Sequence, residues 1–229
     1  MTKRLGGGLS LLANYVWSKS LVSSSGLPLT WNENLKHGMV DWDRQHMFTM
    51  GHVYVLPFGK GQKFLSDVNG VARYVVEGWQ FSGTTMFETG TPFSPGLSSQ
   101  AQFNADFNTP PDIVPGAGWY DVPGGQSRDL WFNVAAFKYP APYTFGNVGP
   151  RILRGPNLMM ANLALYKSFP IAESKKLQFR WEAFNALNRT NLANPNATID
   201  AGPGAQARIT SLLTTTAPRQ MQLALRFEF

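Results

Sequence analysis

The last eleven residues, "RQMQLALRFEF" (Arg219 to Phe229), alternate without a break. Met221, Leu223, Leu225, Phe227 and Phe229 share one parity, and Gln220, Gln222, Ala224, Arg226 and Glu228 share the other. A period of two places the first set on one face of a strand and the second on the opposite face, whereas a helix would scatter both. No other feature constrains the fold as much, because the pattern recurs. "LSLLANYVW" sets Leu9, Leu11, Ala13, Tyr15 and Trp17 against Ser10, Asn14 and Ser18, although Leu12 and Val16 blur the contrast. "FTMGHVYVL" gives Phe48, Met50, His52, Tyr54 and Leu56 as one face, and "GWQFSGTTMFE" gives Trp79, Phe81, Gly83, Thr85 and Phe87. "ANLALYKSF" contributes Ala161, Leu163, Leu165 and Phe169, and "LQFRWEAFN" contributes Leu177, Phe179, Trp181 and Ala183. Six strands are expected, near 8–19, 46–57, 72–89, 158–169, 177–187 and 219–229.

These runs are about nine to thirteen residues long. Soluble strands typically have five or six residues, and a tilted membrane strand needs ~9–11. Composition points the same way: 15% of residues are charged and 13% aromatic, with 22 glycines and 16 prolines, against ~25% charged in ordinary globular chains. No stretch approaches the ~18 apolar residues of a membrane helix, so a membrane role would have to use strands. The start, "MTKRLGGGLSLLANYVW", imitates a signal peptide, but glycines, Ser10 and Asn14 interrupt its apolar part and no small-residue cleavage site follows.

The connections divide into two sets. "PIAESKK" (Pro170 to Lys176) and "PFGKGQKFLSDVNG" (Pro57 to Gly70) are turn-rich and short. The other three are long: about 25 residues from Ser20 to Gln45, a long loop at 90–157, and about 30 residues from Ala186 to Ala217. Long loops at one end and shorter turns at the other are the habit of outer-membrane barrels, whose short turns face the periplasm. Lys167, on an otherwise apolar face, then falls near a periplasmic strand end, where its stem can snorkel. At the midplane a lysine would cost ~2–4 kcal/mol. The fold class expected is all-β: an antiparallel up-and-down transmembrane β-barrel segment. Six strands leave it incomplete, since the smallest membrane barrels need about eight.

Eight segments carry a resemblance: "NYVWSKS" (Asn14 to Ser20), "DWDRQHMF" (Asp41 to Phe48), "LPFGKG" (Leu56 to Gly61), "GWQFSG" (Gly78 to Gly83), "TGTPFS" (Thr89 to Ser94), "FGNVGPRILRGP" (Phe145 to Pro156), "LQFRWEAFNALNRTN" (Leu177 to Asn191) and "PRQMQLALRFEF" (Pro218 to Phe229). In this order the chain resembles the C-terminal part of the β-barrel of TonB-dependent outer-membrane receptors, above all the Oar-like group with an N-terminal carboxypeptidase-regulatory-like domain. The resemblance implies one C-terminal barrel segment over residues 1–229, in the outer membrane of a Gram-negative-type bacterium, in contact with outer-membrane lipid. It implies uptake of a nutrient ligand by the whole receptor, with siderophore, cobalamin, oligosaccharide and peptide all open. The TonB complex would act only through a plug domain that this chain lacks, so the chain reads as a fragment, from a truncated gene model or a split receptor. In this family the terminal strand is what the barrel-assembly machinery reads; by resemblance Phe229, Phe227 and Leu225 form that signal. The rival readings are an outer-membrane adhesion or binding protein without transport, and a soluble β-sandwich carbohydrate-binding protein or hydrolase.

Chemistry-bearing groups are few. The chain has no cysteine, which excludes thiol chemistry and Cys-based zinc sites. The net charge of +6 is spread along the sequence without a nucleic-acid-binding motif, so no nucleic-acid partner is expected. "DWDRQH" gathers Asp41, Asp43 and His46, but no further histidine lies at ligand spacing, and the group reads as a loop end in which Arg44 compensates the two aspartates. "FGKGQK" lacks phosphate-loop spacing and reads as a turn. No catalytic, metal or cofactor residues are expected, and the chain is not expected to be an enzyme. Arg180, Glu182, Arg226 and Glu228 fall on the polar parity of the last two strands and are read as a lumen-side ion-pair ladder between neighbours. Tyr15, Trp17, Trp79, Phe169, Trp181 and Phe229 read as lipid-facing or girdle aromatics. The 90–157 loop, with Phe93, Phe103, Phe107, Trp119, Tyr120, Trp131 and Phe132 among many Pro, Gly and Asn residues, is the expected place for ligand contact.

Overall fold

Each alternating run can satisfy its backbone only by pairing with a neighbour. In a computed structural model, which describes residues 2–5, 7–23, 37–98, 110–172 and 175–229, this is how they are arranged. The strands are β1 (Thr2–Leu5), β2 (Leu9–Trp17), β3 (His46–Val55), β4 (Trp79–Glu88), β5 (Leu158–Ala172), β6 (Lys175–Phe184) and β7 (Gln220–Glu228). They form one antiparallel sheet in chain order, the up-and-down topology expected. Among the described residues β1 and β7 are its two edges, so the sheet is open.

The register makes the alternation collective. Leu9, Tyr54, Phe81, Leu165, Trp181 and Leu223 stand directly opposite one another across six strands, and Leu11, His52, Gly83, Leu163, Ala183 and Met221 form the next row. Directly opposed residues share a face. Every apolar parity read from the sequence therefore lies on the same face. The other face carries Ser10, Ser82, Thr84, Asn162, Gln80, Tyr166, Glu182 and Gln222.

Three boundaries differ from expectation by three residues or more. The 72–89 strand begins only at Trp79, because Val71–Val76 is a short helix, α1. Gly70 (φ 65°) and Gly78 (φ 74°) bracket it, and an extended run cannot pass through left-handed positions. The hairpin between β5 and β6 is tighter than "PIAESKK" suggested: β5 runs on to Ala172 and β6 starts at Lys175, with a register shift between Pro170 and Ala172, where a proline cannot donate to the ladder. At the far end β6 stops at Phe184 rather than near 187, because Asn185 adopts φ 47°. The sequence reading also missed β1. The glycines that interrupt the signal-like start turn the chain back at Gly7 and Gly8 (φ 87° and 84°), so that Thr2–Leu5 pairs with Leu9–Leu12.

The packed hydrophobic cluster is not in the sheet, whose own buried apolar residues among those described are Leu158, Ala161 and Ala183. Phe93, Phe132, Ala136, Phe137, Val148, Leu153, Ile199 and Ala207 pack together where the loop after β4 meets the loop after β6. Phe132 sits 5.8 Å from Phe93 and edge-on to Phe137 at 6.0 Å. Short pairings (Pro92–Phe93 with Leu153–Arg154, Asp112–Ile113 with Phe137–Lys138) shape the first loop, and the Gly96–Thr198 bridge and backbone bonds such as Trp131 N–H to Ala207 O (2.9 Å) knit the two loops into one cap.

At the opposite end, the turn between β3 and β4 is pinned by Glu77. Its carboxylate accepts from the Lys60 amide at 2.6 Å and from Arg73 Nε at 2.8 Å. The Arg73 guanidinium, and after it the Lys60 amide, hold the Glu77 carboxyl below its ordinary range. A depressed folded value means that this contribution is complete above the ordinary carboxylate range and is lost as pH falls through the depressed value.

Two outcomes are expected. The exchange protection of the Lys60 amide should fall on acidification below the carboxylate range, and Glu77→Gln should remove that pH dependence. Within the sheet, a Cβ on Gly83 would come within 2.7 Å of His52 Cε1 and 2.8 Å of Leu163 Cδ2, whereas one on Gly51 meets nothing within 4 Å. Gly83→Val should therefore destabilise by about 1–3 kcal/mol while Gly51→Val stays near neutral, read from urea unfolding midpoints.

Candidate functional site on the polar face and loop cap

The sheet curls around its polar face. A cavity of about 440 Å³ is lined there by residues of five consecutive strands, among them Ser10, Val53, Ser82, Asn162 and Glu182. Its character changes across the sheet. From β2 to β4 the wall alternates hydroxyl and amide groups (Ser10, Asn14, Thr49, Ser82, Thr84) with apolar ones (Leu12, Val53, Met86); from β5 to β7 it carries charge. Arg180 lies 3.0 Å from Glu182 along the same strand and reaches the Tyr166 hydroxyl at 3.4 Å; Tyr166 in turn donates to Glu182 at 3.2 Å, and Gln222 donates to the same carboxylate.

This arrangement corrects the expected ladder. Arg180 stands opposite Ala224, Glu182 opposite Gln222, and Arg226 opposite Gln178, so the predicted cross-strand ion pairs do not form. The pairs run along the strands instead, Arg180 with Glu182 and Arg226 with Glu228 at 3.4 Å. The one cross-strand ion pair on β6 and β7 among the described residues uses Lys176, which meets Glu228 at 2.8 Å. Side chains two apart on one strand share a face, which suffices when the neighbour's register offers no charge.

The loop end is organised by two of the quoted segments. Asp43 of "DWDRQHMF" is 2% exposed, and Arg154 of "FGNVGPRILRGP" is its ionic partner. Asp43 also accepts from the Ser20 amide at 2.7 Å. Arg154 donates further to Gly90 O at 3.2 Å, while its own amide donates to the Tyr120 hydroxyl at 2.6 Å and its carbonyl accepts from Trp131 Nε1 at 2.9 Å. One residue thus joins the loop after β2, the end of β4 and the cap. Asp41 pairs with Arg151 in the same way but nearer the surface. Arg44, assigned the compensating role from sequence, instead meets Glu88 at 3.0 Å. Local spacing suggested the nearest arginine; the fold supplies two from more than a hundred residues away. His46, the third member of that cluster, shares a 2.7 Å hydrogen bond with the Tyr15 hydroxyl.

The loop aromatics also find a different use. Phe93 and Phe132 are core, Trp119 and Trp131 pack against it, and Tyr120 is bonded to Arg154. Phe103 and Phe107 lie outside the described residues. Sequence reasoning passed over Asn185 and Asn191 of "FNALNRTN". Asn185 is 5% exposed and bonds Arg189 O and Ala217 O, both at 3.0 Å, and the Asn191 side chain accepts from the Met159 amide at 3.0 Å. The signal was present, since asparagines just past an alternating run commonly satisfy strand-end backbone groups.

Removing the Asp43 carboxylate leaves a largely desolvated guanidinium at the hub. Asp43→Ala should cost about 3 kcal/mol or more and speed proteolysis of the cap. Asp41→Ala, whose side chain is 71% exposed, should cost no more than about 1 kcal/mol in the same assay.

Residues 1–222 match the family model of an outer membrane beta barrel domain. Neither curated proteins nor solved structures give a match. The match spans every strand from β1 to β6 and enters β7, which sets aside the soluble β-sandwich reading. The chain belongs to the outer membrane beta barrel domain family, and its open antiparallel sheet is a barrel wall of the outer membrane.

Proposed function

We propose that the chain is the C-terminal barrel wall of a TonB-dependent receptor of the Oar-like kind, importing a nutrient ligand across the outer membrane. The observation that carries the reading is the uncovered apolar face, opposed by a polar concave one. Tyr15, Phe48 and Phe87 form an aromatic row at the loop end, and at the turn end Trp79 and Phe179 lie in one row and Phe169 and Phe227 in the next, outermost one. Along β5 the rows are separated by the stretch from Met159 to Phe169, roughly 33 Å of strand. At a tilt of ~40° this is roughly 25 Å of height, the apolar band of an outer-membrane barrel. On this reading outer-membrane lipid covers the apolar face, the cap is extracellular, and the polar face lines the lumen.

The open edges support a larger barrel, since the bilayer tolerates no unpaired strand edge. Further strands would pair with β1 and β7, and a plug domain would sit against the Ser, Thr and Asn side of the lumen wall and receive the TonB complex. The packed cap favours a second reading, a surface binding or adhesion protein without transport, because its aromatic residues hold a fixed shape at the loop end. The coding sequence directly upstream separates the two: an in-frame plug domain supports import, and an intact locus without one supports binding alone.

Phe229 is 91% exposed and stacks on Phe227 at 6.1 Å, at the free edge of the sheet. With Leu225 it offers the barrel-assembly machinery an accessible apolar strand end. Deleting Phe229 should lower the amount of chain in the outer-membrane fraction several-fold, read by immunoblot against an Ala224→Ser control on the polar face.

A further inference from the structure

We propose that α1 is an interfacial anchor, docked on the phospholipid surface at the turn end of the barrel wall. The proposal rests on the reading that the apolar face meets lipid. α1 has six residues, three of them valine, and buries none of them. Such a helix is too short to persist in water, and valine is among its weaker formers. Yet Val71, Tyr74 and Val75 project from one side at the spacing of helix neighbours and are 81%, 56% and 62% exposed. The other side holds Ala72, Arg73 and Val76, with Arg73 bonded to Glu77 one turn on.

What holds α1 belongs to the apolar face of the sheet. Trp79 and Lys167 stand opposite each other in the register of β4 and β5, on that face. The Trp79 indole N–H donates to Val75 O at 2.8 Å, and Lys167 donates to Glu77 O. Lys167 is only 2% exposed, and its ammonium lies 5.2 Å over the Trp79 ring and 5.0 Å over Phe169. The lysine that looked misplaced on an apolar face therefore ties the last turn of α1 to the aromatic row.

This fixes the depth of the helix. Its end is tied to Trp79, and Tyr74 lines a hollow at the end of β5 with Ser168, Pro170 and Ile171, the last 60% exposed. Tryptophan and tyrosine settle where acyl chains give way to headgroups, and a helix with one apolar side lies flat at that level. Lipid is favoured over a protein occupant because the ties to Trp79 and Lys167, both on the lipid-facing parity, set the helix at interfacial depth.

The chain has no cysteine, so single nitroxide labels can be introduced into the otherwise native chain in isolated outer membranes. Labels at Val75→Cys and, as a second site, Tyr74→Cys are compared with Ser66→Cys in the same turn and Leu223→Cys on the apolar face. The proposal expects the labels at positions 74 and 75 to collide preferentially with dissolved oxygen, as at position 223, with an oxygen-to-nickel-chelate ratio several-fold above that at position 66. If positions 74 and 75 collide with the aqueous chelate as readily as position 66 while 223 remains lipid-like, the anchor is overturned and the lipid-facing sheet stands. Low collision with both reagents would mean a protein covers α1, which also overturns it. A water-exposed position 223 would remove the lipid-facing reading and the anchor together.

Discussion

Everything in this molecule depends on the obligation of a spanning backbone to satisfy its own hydrogen bonds. Hydrocarbon supplies no donors or acceptors, so each strand must lie against a neighbour along its length. Once β2 to β7 pair in register, a side chain has only two directions available. A slip of one residue between any two strands would turn an entire apolar set towards the lumen. The rows through Leu165 and Leu163 are the visible result of that constraint.

The two ends of the sheet solve different problems with different chemistry. Above it, a conventional core of Phe93, Phe132, Phe137 and Leu153 makes the cap a unit that excludes water by itself. The cap is fastened to the strands by Asp43 and Arg154. A buried ion pair is a poor source of net stability but penalises any arrangement that separates its members. Its benefit here is positional: it sets where the cap sits against the strand ends. Below the sheet there is no such core. The turn is held by a carboxylate, a lysine and an indole hydrogen bond, and its apolar side chains remain uncovered by protein among the described residues.

The parity of every long strand was legible in the sequence, because a half-apolar surface writes its period directly into the residue order. So were the distinction between long loops and short turns and the odd position of Lys167. Connections were harder. Gly70 and Gly78 hid a helix inside an apparently extended run, and the glycines near the start disguised the turn of a hairpin. The partner of Asp43 was out of reach for a different reason. Local charge balance favoured Arg44, and only the three-dimensional meeting of two loops brings Arg154 to it. Ion pairs on the polar face failed similarly: parity told which face Arg180 and Glu182 occupy but not that Ala224 and Gln222 would stand opposite them.

The central claim is that one parity of these strands meets lipid and the other meets water. β5 tests it most directly, because it lies between two long neighbours and spans the full height of the sheet. Single cysteines at Ala161, Leu163 and Leu165, and at Asn162, Ala164 and Tyr166, would be exposed in outer membranes to a membrane-impermeant maleimide. The account predicts alternation: labelling at 162, 164 and 166 and protection at 161, 163 and 165. Equal labelling at both parities, or the opposite alternation, would contradict it.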